Sequence, residues 1–240
     1  MAADTIQGFN ATYRWLVLSS LIALGACASA PPGPPTPEGP QPLLLPASPT
    51  AQTYTIDATA STLHILVYRG GPMAKLGHNH VISSPNVQGS IWRGASLASS
   101  GFDITVPVND LIVDNGSARA AEGDDFATNV NQEAIEGTKA NMLRESVLDG
   151  ARFPVIRIQS VSVQGDANAP TVVAALRIKD QTRHVTLPLA LQATDSGMHI
   201  KGEFDIRQTD FGITPISVAL GALQVQDTLK IKFFLVTSAP

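Results

Sequence analysis

Two histidines one residue apart, in Gly77-His78-Asn79-His80, are the side chains whose types and spacing could most readily do chemistry. On a strand, residues i and i+2 point to one face, so both imidazoles could meet one metal ion or one polar head group. A divalent ion such as Zn²⁺ would want one or two further ligands. His64, His184 or His199 could supply an imidazole, and Glu122, Asp124 or Asp125 a carboxylate; the spacing names none of them. The plainer reading is that Gly77 marks a turn and the two histidines cap backbone groups. Other reactive patterns are missing from the sequence. It has no Gly-x-Ser-x-Gly elbow, no His-Glu-x-x-His, no phosphate-binding glycine loop and no cysteine pair, so no catalytic residue is assigned. Glu122-Gly123-Asp124-Asp125 reads as a solvated turn, because Ca²⁺ would need more oxygen ligands than this segment offers. Arg119, Arg144 and Arg152 could anchor an anionic head group, but each reads as ordinary surface charge.

The single cysteine, Cys27, has a different chemistry in prospect. It follows Leu24-Gly25-Ala26, at the end of a segment with one basic residue, Arg14, and a short apolar run from Trp15 to Ala26. This ending resembles the bacterial lipobox, in which the cysteine is acylated and becomes the new N-terminus. Residues 1–26 are then a lipoprotein signal peptide, and the membrane is reached through an N-terminal acyl anchor. Residues 27–53 form the lipidated cysteine and a linker: nine of the seventeen prolines fall between Pro31 and Pro49, favouring an extended spacer over a sheet or helix. Ala28, where Asp would signal retention, points to the outer membrane. The expected location is the bacterial cell envelope, with the domain facing the periplasm. A net charge of −4 without basic clusters argues against a nucleic-acid partner.

The elements that must position these residues are strands, and they occupy residues 54–240. Apolar residues recur with period two in Val172–Ile178, Val185–Leu191, Met198–Ile206 and Leu229–Leu235, which puts one face inward and the other toward water. Turn chemistry separates the runs at Gly70-Gly71-Pro72, Asn115-Gly116, Gly165-Asp166, Lys179-Asp180 and Asp195-Ser196-Gly197. Pro107 and Pro188 fall inside strand-like runs and suggest edges or bulges. Residues 131–149 lack the alternation and predict one helix, ending near Gly150 and covering a barrel end. The expectation is an all-β fold, an antiparallel barrel of about eight strands.

Several stretches, in order along the chain, resemble the YceI-like family of bacterial lipocalin-like domains. They are Tyr54-Thr55-Ile56-Asp57 with Ser61; Asn141-Met142-Leu143 through Phe153-Pro154-Val155-Ile156; Leu176-Arg177-Ile178-Lys179 with Thr182-Arg183-His184-Val185; and Asp210-Phe211-Gly212-Ile213 with Val225-Gln226-Asp227. Asp180 departs from the glycine common there, and Gly77-His78-Asn79-His80 looks like a particular branch. The resemblance implies that a polyisoprenoid or isoprenoid quinone is carried inside the barrel. Physically, a dry lumen suits such a guest, each buried methylene contributing about 0.8 kcal/mol. Leu187, Leu189, Leu191, Phe204, Ile206, Ile231 and Phe233 are the expected lining, and each is equally readable as plain core. Two other readings stay open: a metal- or haem-associated redox or hydrolytic protein using His78 and His80, and a scaffold whose barrel is filled by its own side chains. The expected non-protein partner is accordingly an isoprenoid lipid, a quinone-like molecule or a divalent metal.

Overall fold

The computed structural model describes residue 47 and residues 50–239, so the signal-peptide segment, Cys27 and most of the linker lie outside the described residues. In chain order the strands and helices are β1 (Gln52–Gly70), β2 (His80–Ser83), β3 (Gln88–Arg93), β4 (Gly101–Pro107), β5 (Ile112–Val113), α1 (Gly116–Ala121) and α2 (Gln132–Met142). They continue with β6 (Val155–Gly165), β7 (Pro170–Ile178), β8 (Gln181–Thr194), β9 (Gly197–Arg207), β10 (Ser217–Val218) and β11 (Leu223–Ser238). Among the described residues no helix is long and apolar enough to cross a membrane.

The strands form one antiparallel sheet in the order β10-β11-β9-β8-β7-β6-β4-β3-β1-β2-β5, closed by a pairing of β11 with β1. That closure leaves a barrel of eight strand positions. Two of them are broken strands. β3 and β2 run in succession alongside β1, from Gln52↔Arg93 to Val67↔His80. β4 and β5 do the same alongside β3 and β2, from Trp92↔Gly101 to Ile82↔Val113. The breaks set β2 and β5 apart at one end of the barrel, where the histidines lie.

Period two explains the wall. Leu229, Ile231, Phe233 and Leu235 of β11 turn to the lumen, while Lys230 and Lys232 between them turn outward and reach carboxylates on the outer face. The proline positions follow from the ladders. Pro107 ends β4, and Pro188 sits where β8 stops pairing with β9, whose ladder begins at Leu189↔Gly202, so neither proline deprives an interior ladder of a donor.

The helical segment is shorter than residues 131–149 would make it. α2 stops at Met142, and successive tight turns follow, with Leu148 N–H bonding to Met142 O and Gly150 N–H to Leu143 O. Asn131 caps its start by accepting from Ala134 N–H. Met142 and Leu148 pack onto the barrel interior, and the helix with its following turns covers the end where β6 begins. A second helix, α1, occupies what reads in sequence as a turn at Asn115-Gly116. Asn115 serves as its cap, accepting from Ser117 and Ala118 N–H. Phe126 and Ala118 of this region pack against Leu66 and Val81, so the stretch after β5 lies on the outside of the wall.

Candidate functional site

The barrel is hollow. An elongated cavity of about 720 Å³ runs through it, inside the range of about 300–1,000 Å³ typical of small-molecule sites. Its wall extends along β11 from Leu235 to Val225, roughly 30 Å of strand at about 3.3 Å per residue. The filled-scaffold reading fails on this point, because the inward side chains do not close the lumen. Leu187, Leu189, Leu191, Phe204, Ile206, Ile231 and Phe233 all stand on the cavity wall. Gly202 is why Phe233 fits: a Cβ at that position would lie 2.6 Å from Phe233 Cζ.

At the end where β1 finishes, two loops meet. Met73 N–H donates to Ala222 O at 2.8 Å. Gly71, at φ +89, approaches so closely that a Cβ would lie 2.6 Å from Ala222 O, which reserves the position for glycine. These loops expose Met73, Leu76, Val218 and Leu220, the last wholly bare on a left-handed backbone at φ 55. Ile216, beside them, is both partly exposed and part of the cavity wall, so the apolar rim is continuous with the lumen.

The polar chemistry converges beside this end. His80, the first residue of β2, lines the cavity. Asp114 follows β5 with φ 52 and sits opposite Val81, accepting from Val81 N–H at 2.9 Å while its own N–H donates to Val81 O at 2.8 Å. The Asp114 side chain is fully buried and is the third member of the cluster. Its Oδ2 lies 2.6 Å from His80 Nδ1, and its Oδ1 accepts from Arg119 Nη1 at 2.6 Å. Burial alone would raise the Asp114 carboxyl, but hydrogen bonds from His80 and Val81 outweigh it and hold the group below the usual carboxylate range. An ionised carboxylate only accepts, so His80 Nδ1 carries the proton and Nε2 is left with the remaining valence.

His78 meets the same cluster edge-on, its ring centroid 4.5 Å from that of His80. Its Nε2 is buried without a hydrogen-bond partner. Burial first, and the neighbouring His80 second, push His78 below its ordinary pKa and favour the neutral ring. Asn79 between them is structural: Oδ1 accepts from Arg69 N–H and Nδ2 donates to Asp125 O, each at 3.0 Å. His78, His80 and Asp114 together offer ligand atoms lying within 4.8 Å of one another.

The other expected third ligands are elsewhere. His64 bonds Glu122 at 2.6 Å, and Lys232 holds the second oxygen of that carboxylate at 2.6 Å. Burial opposes ionisation of Glu122, but these two partners outweigh it and keep the carboxyl low. His199 packs at a tilt against Phe234, 5.2 Å between centroids, and His184 is exposed on β8. Asp124 and Asp125 are exposed. Two residues that read in sequence as surface groups have buried side chains instead. Glu122 is not a solvated turn residue but a buried ion-pair centre. Arg119 is buried too, donating to Asp114 and to the carbonyls of Asn79 and Thr128, and this pairing is what makes its burial tolerable. Arg144 and Arg152 are exposed; Arg152 pairs with Asp149 at 2.6 Å.

A closed antiparallel barrel with an apolar lumen and a helix over one end defines the lipocalin-like class. A sequence profile of the YceI-like domain matches residues 54–237, and the chain belongs to the YceI-like family. BcnA of Burkholderia cenocepacia is similar at a TM-score of 0.56 and 14% identity, covering 75% of this chain and 98% of BcnA. A YceI protein of Campylobacter jejuni is similar at a TM-score of 0.47 and 11% identity, covering 66% of this chain and 84% of its own. At 14% identity the likeness to BcnA concerns fold alone. No curated protein sequence matches the chain.

Proposed function

We propose that this protein carries, buffers or sequesters an elongated apolar ligand of the polyisoprenoid or isoprenoid-quinone type within its barrel, tethered in the bacterial envelope through acylated Cys27. The observation that carries the reading is the long apolar cavity. An isoprenoid chain offers methyl and methylene groups to every part of such a wall, and at about 0.8 kcal/mol per buried methylene a few isoprene units suffice for retention. The rim at Leu76, Val218 and Leu220 supports the same reading, since an apolar guest needs an apolar threshold between its source and the lumen. Leu187, Leu189, Leu191, Phe204, Ile206, Ile231 and Phe233 are the proposed contacts. The redox or hydrolytic alternative is favoured only by the convergence of His78, His80 and Asp114, a small polar spot beside a predominantly apolar lumen.

Native mass spectrometry of the protein from its host tests this directly. An added mass equal to a prenyl lipid or quinone is expected, and a bare polypeptide that also takes up no added polyprenol or ubiquinone would overturn the reading. Leu189→Trp should fill the lumen and abolish uptake while the fold persists; undiminished uptake would remove the ligand from this cavity. Cys27→Ser should move the protein from the membrane to the soluble fraction, and retention in the membrane would sink the acyl-anchor part.

A further inference from the structure

We propose that His78 and His80 form a mononuclear site for a late first-row divalent metal ion of the Zn²⁺ or Cu²⁺ class, placed at the edge of the cavity. The donors decide the class. Imidazole nitrogen suits Zn²⁺, Cu²⁺ and Ni²⁺, whereas Ca²⁺ and Mg²⁺ want several oxygens that are not gathered here. The ligand atoms of His78, His80 and Asp114 already lie within 4.8 Å of one another. The two imidazole rings lie 4.5 Å apart between centroids, and metal–imidazole bonds of about 2.0–2.1 Å hold two ligand nitrogens roughly 3–4 Å apart.

Asp114 is the orienting group of this site and not a ligand. Both of its oxygens are engaged, Oδ2 by His80 and Oδ1 by Val81 N–H and Arg119. A carboxylate that accepts a hydrogen bond from the Nδ1–H of a histidine fixes its tautomer and leaves Nε2 as the metal-binding atom, the arrangement usual behind ligating histidines. Arg119 in turn is spent on that carboxylate and on two backbone carbonyls, so its charge is balanced before an ion arrives. The independent sign is at His78. Its Nε2 is buried with no hydrogen-bond partner, a defect that an ion would remove. Two protein nitrogens leave coordination positions open. Because His80 stands on the cavity wall, those positions adjoin the space in the lumen.

The site stands whether or not a lipid fills the barrel, and its test does not depend on one. The full-length protein, stripped with a chelator and dialysed against micromolar ZnCl₂ or CuCl₂, is read by inductively coupled plasma mass spectrometry. One equivalent of metal is expected, with affinity reduced at least a hundredfold in His78→Ala and in His80→Ala. Asp114→Asn should weaken binding by about ten- to a hundredfold through loss of orientation. His64→Ala, which removes the other carboxylate-paired imidazole, should bind as the parent does, and it remains informative if Asp114→Asn does not fold. No stoichiometric metal in the parent overturns the proposal. So does equal binding by parent, His78→Ala and His80→Ala, with circular dichroism confirming that the variants are folded.

Discussion

Hydrogen bonds from His80, Val81 and Arg119 converge on the Asp114 carboxylate, and none of its surface is open to water. Removing it strands a buried guanidinium, so Asp114→Ala is expected to cost about 3–5 kcal/mol in urea denaturation. Asp114→Ala with Arg119→Met should lose distinctly less than the sum of the two single changes, because the stranded charge is gone. Glu122 makes a pH prediction. Its carboxyl is held low in the fold by Lys232 and His64 against the pull of burial, so the unfolded chain takes up a proton first as pH falls. Stability from this group is therefore present above the ordinary glutamate range and is lost as pH drops from that range through the folded pKa. Glu122→Gln should flatten this part of the acid limb in a stability–pH curve; an unchanged limb would show that the ion pairs contribute nothing. The histidine pair was legible because His-x-His is local. Asp114 was not: it is 34 residues from His80, its Asp-Asn-Gly context spells a turn, and only the β2–β5 ladder brings it there. Glu122 and Arg119 were misread for a related reason, since burial of a charge depends on partners such as Lys232 that sequence keeps far away.

At the scale of elements, Gly202 is the inward position of β9 that carries no side chain, and the ring of Phe233 on the neighbouring strand occupies its place. Gly202→Ala should push that ring into the lumen at a cost of about 1–3 kcal/mol and reduce uptake of a prenyl probe. Adding Phe233→Leu should restore uptake, and failure to do so would mean that the ring does not gate the space. The long strands β7, β8, β9 and β11 were legible because each carries enough alternating residues to declare a face. β2 and β5 were not, being only four and two residues long. α1 was hidden because Asn-Gly serves equally for a hairpin and for a helix cap. α2 proved shorter because helix-forming residues persist past Met142 although the backbone there turns repeatedly under the barrel end.

For the whole molecule, alternation revealed which residues face inward but could not reveal what meets them there. A filled barrel and a hollow one share the same period. The difference lies in how eight strand positions close around side chains of given volume, a sum over all of them. A hollow native state has a thermodynamic consequence: a guest that binds only the folded barrel stabilises it by mass action, by about 2.7 kcal/mol at a hundred times Kd. Delipidated protein should therefore melt at a lower temperature than protein reloaded with polyprenol. A melting temperature indifferent to the guest would argue against occupancy of the lumen.

The pairing of β1 with β11 brings Thr55 opposite Ser238, so the barrel closes between the first and the last strand described. Such a seam is the slowest kind of contact to form, because nearly the whole barrel domain is the loop that must be closed. Until it forms, β1 and β11 each present an unpaired edge to whatever is near. The same adjacency suggests a test. Joining the ends beside Thr55 and Ser238 with a short linker, and reopening the chain at the exposed turn around Asp166, would turn the seam into a hairpin. In that permuted protein the last pairing to form should move from β1 and β11 to β6 and β7, with pulse-labelled hydrogen exchange during refolding as the readout.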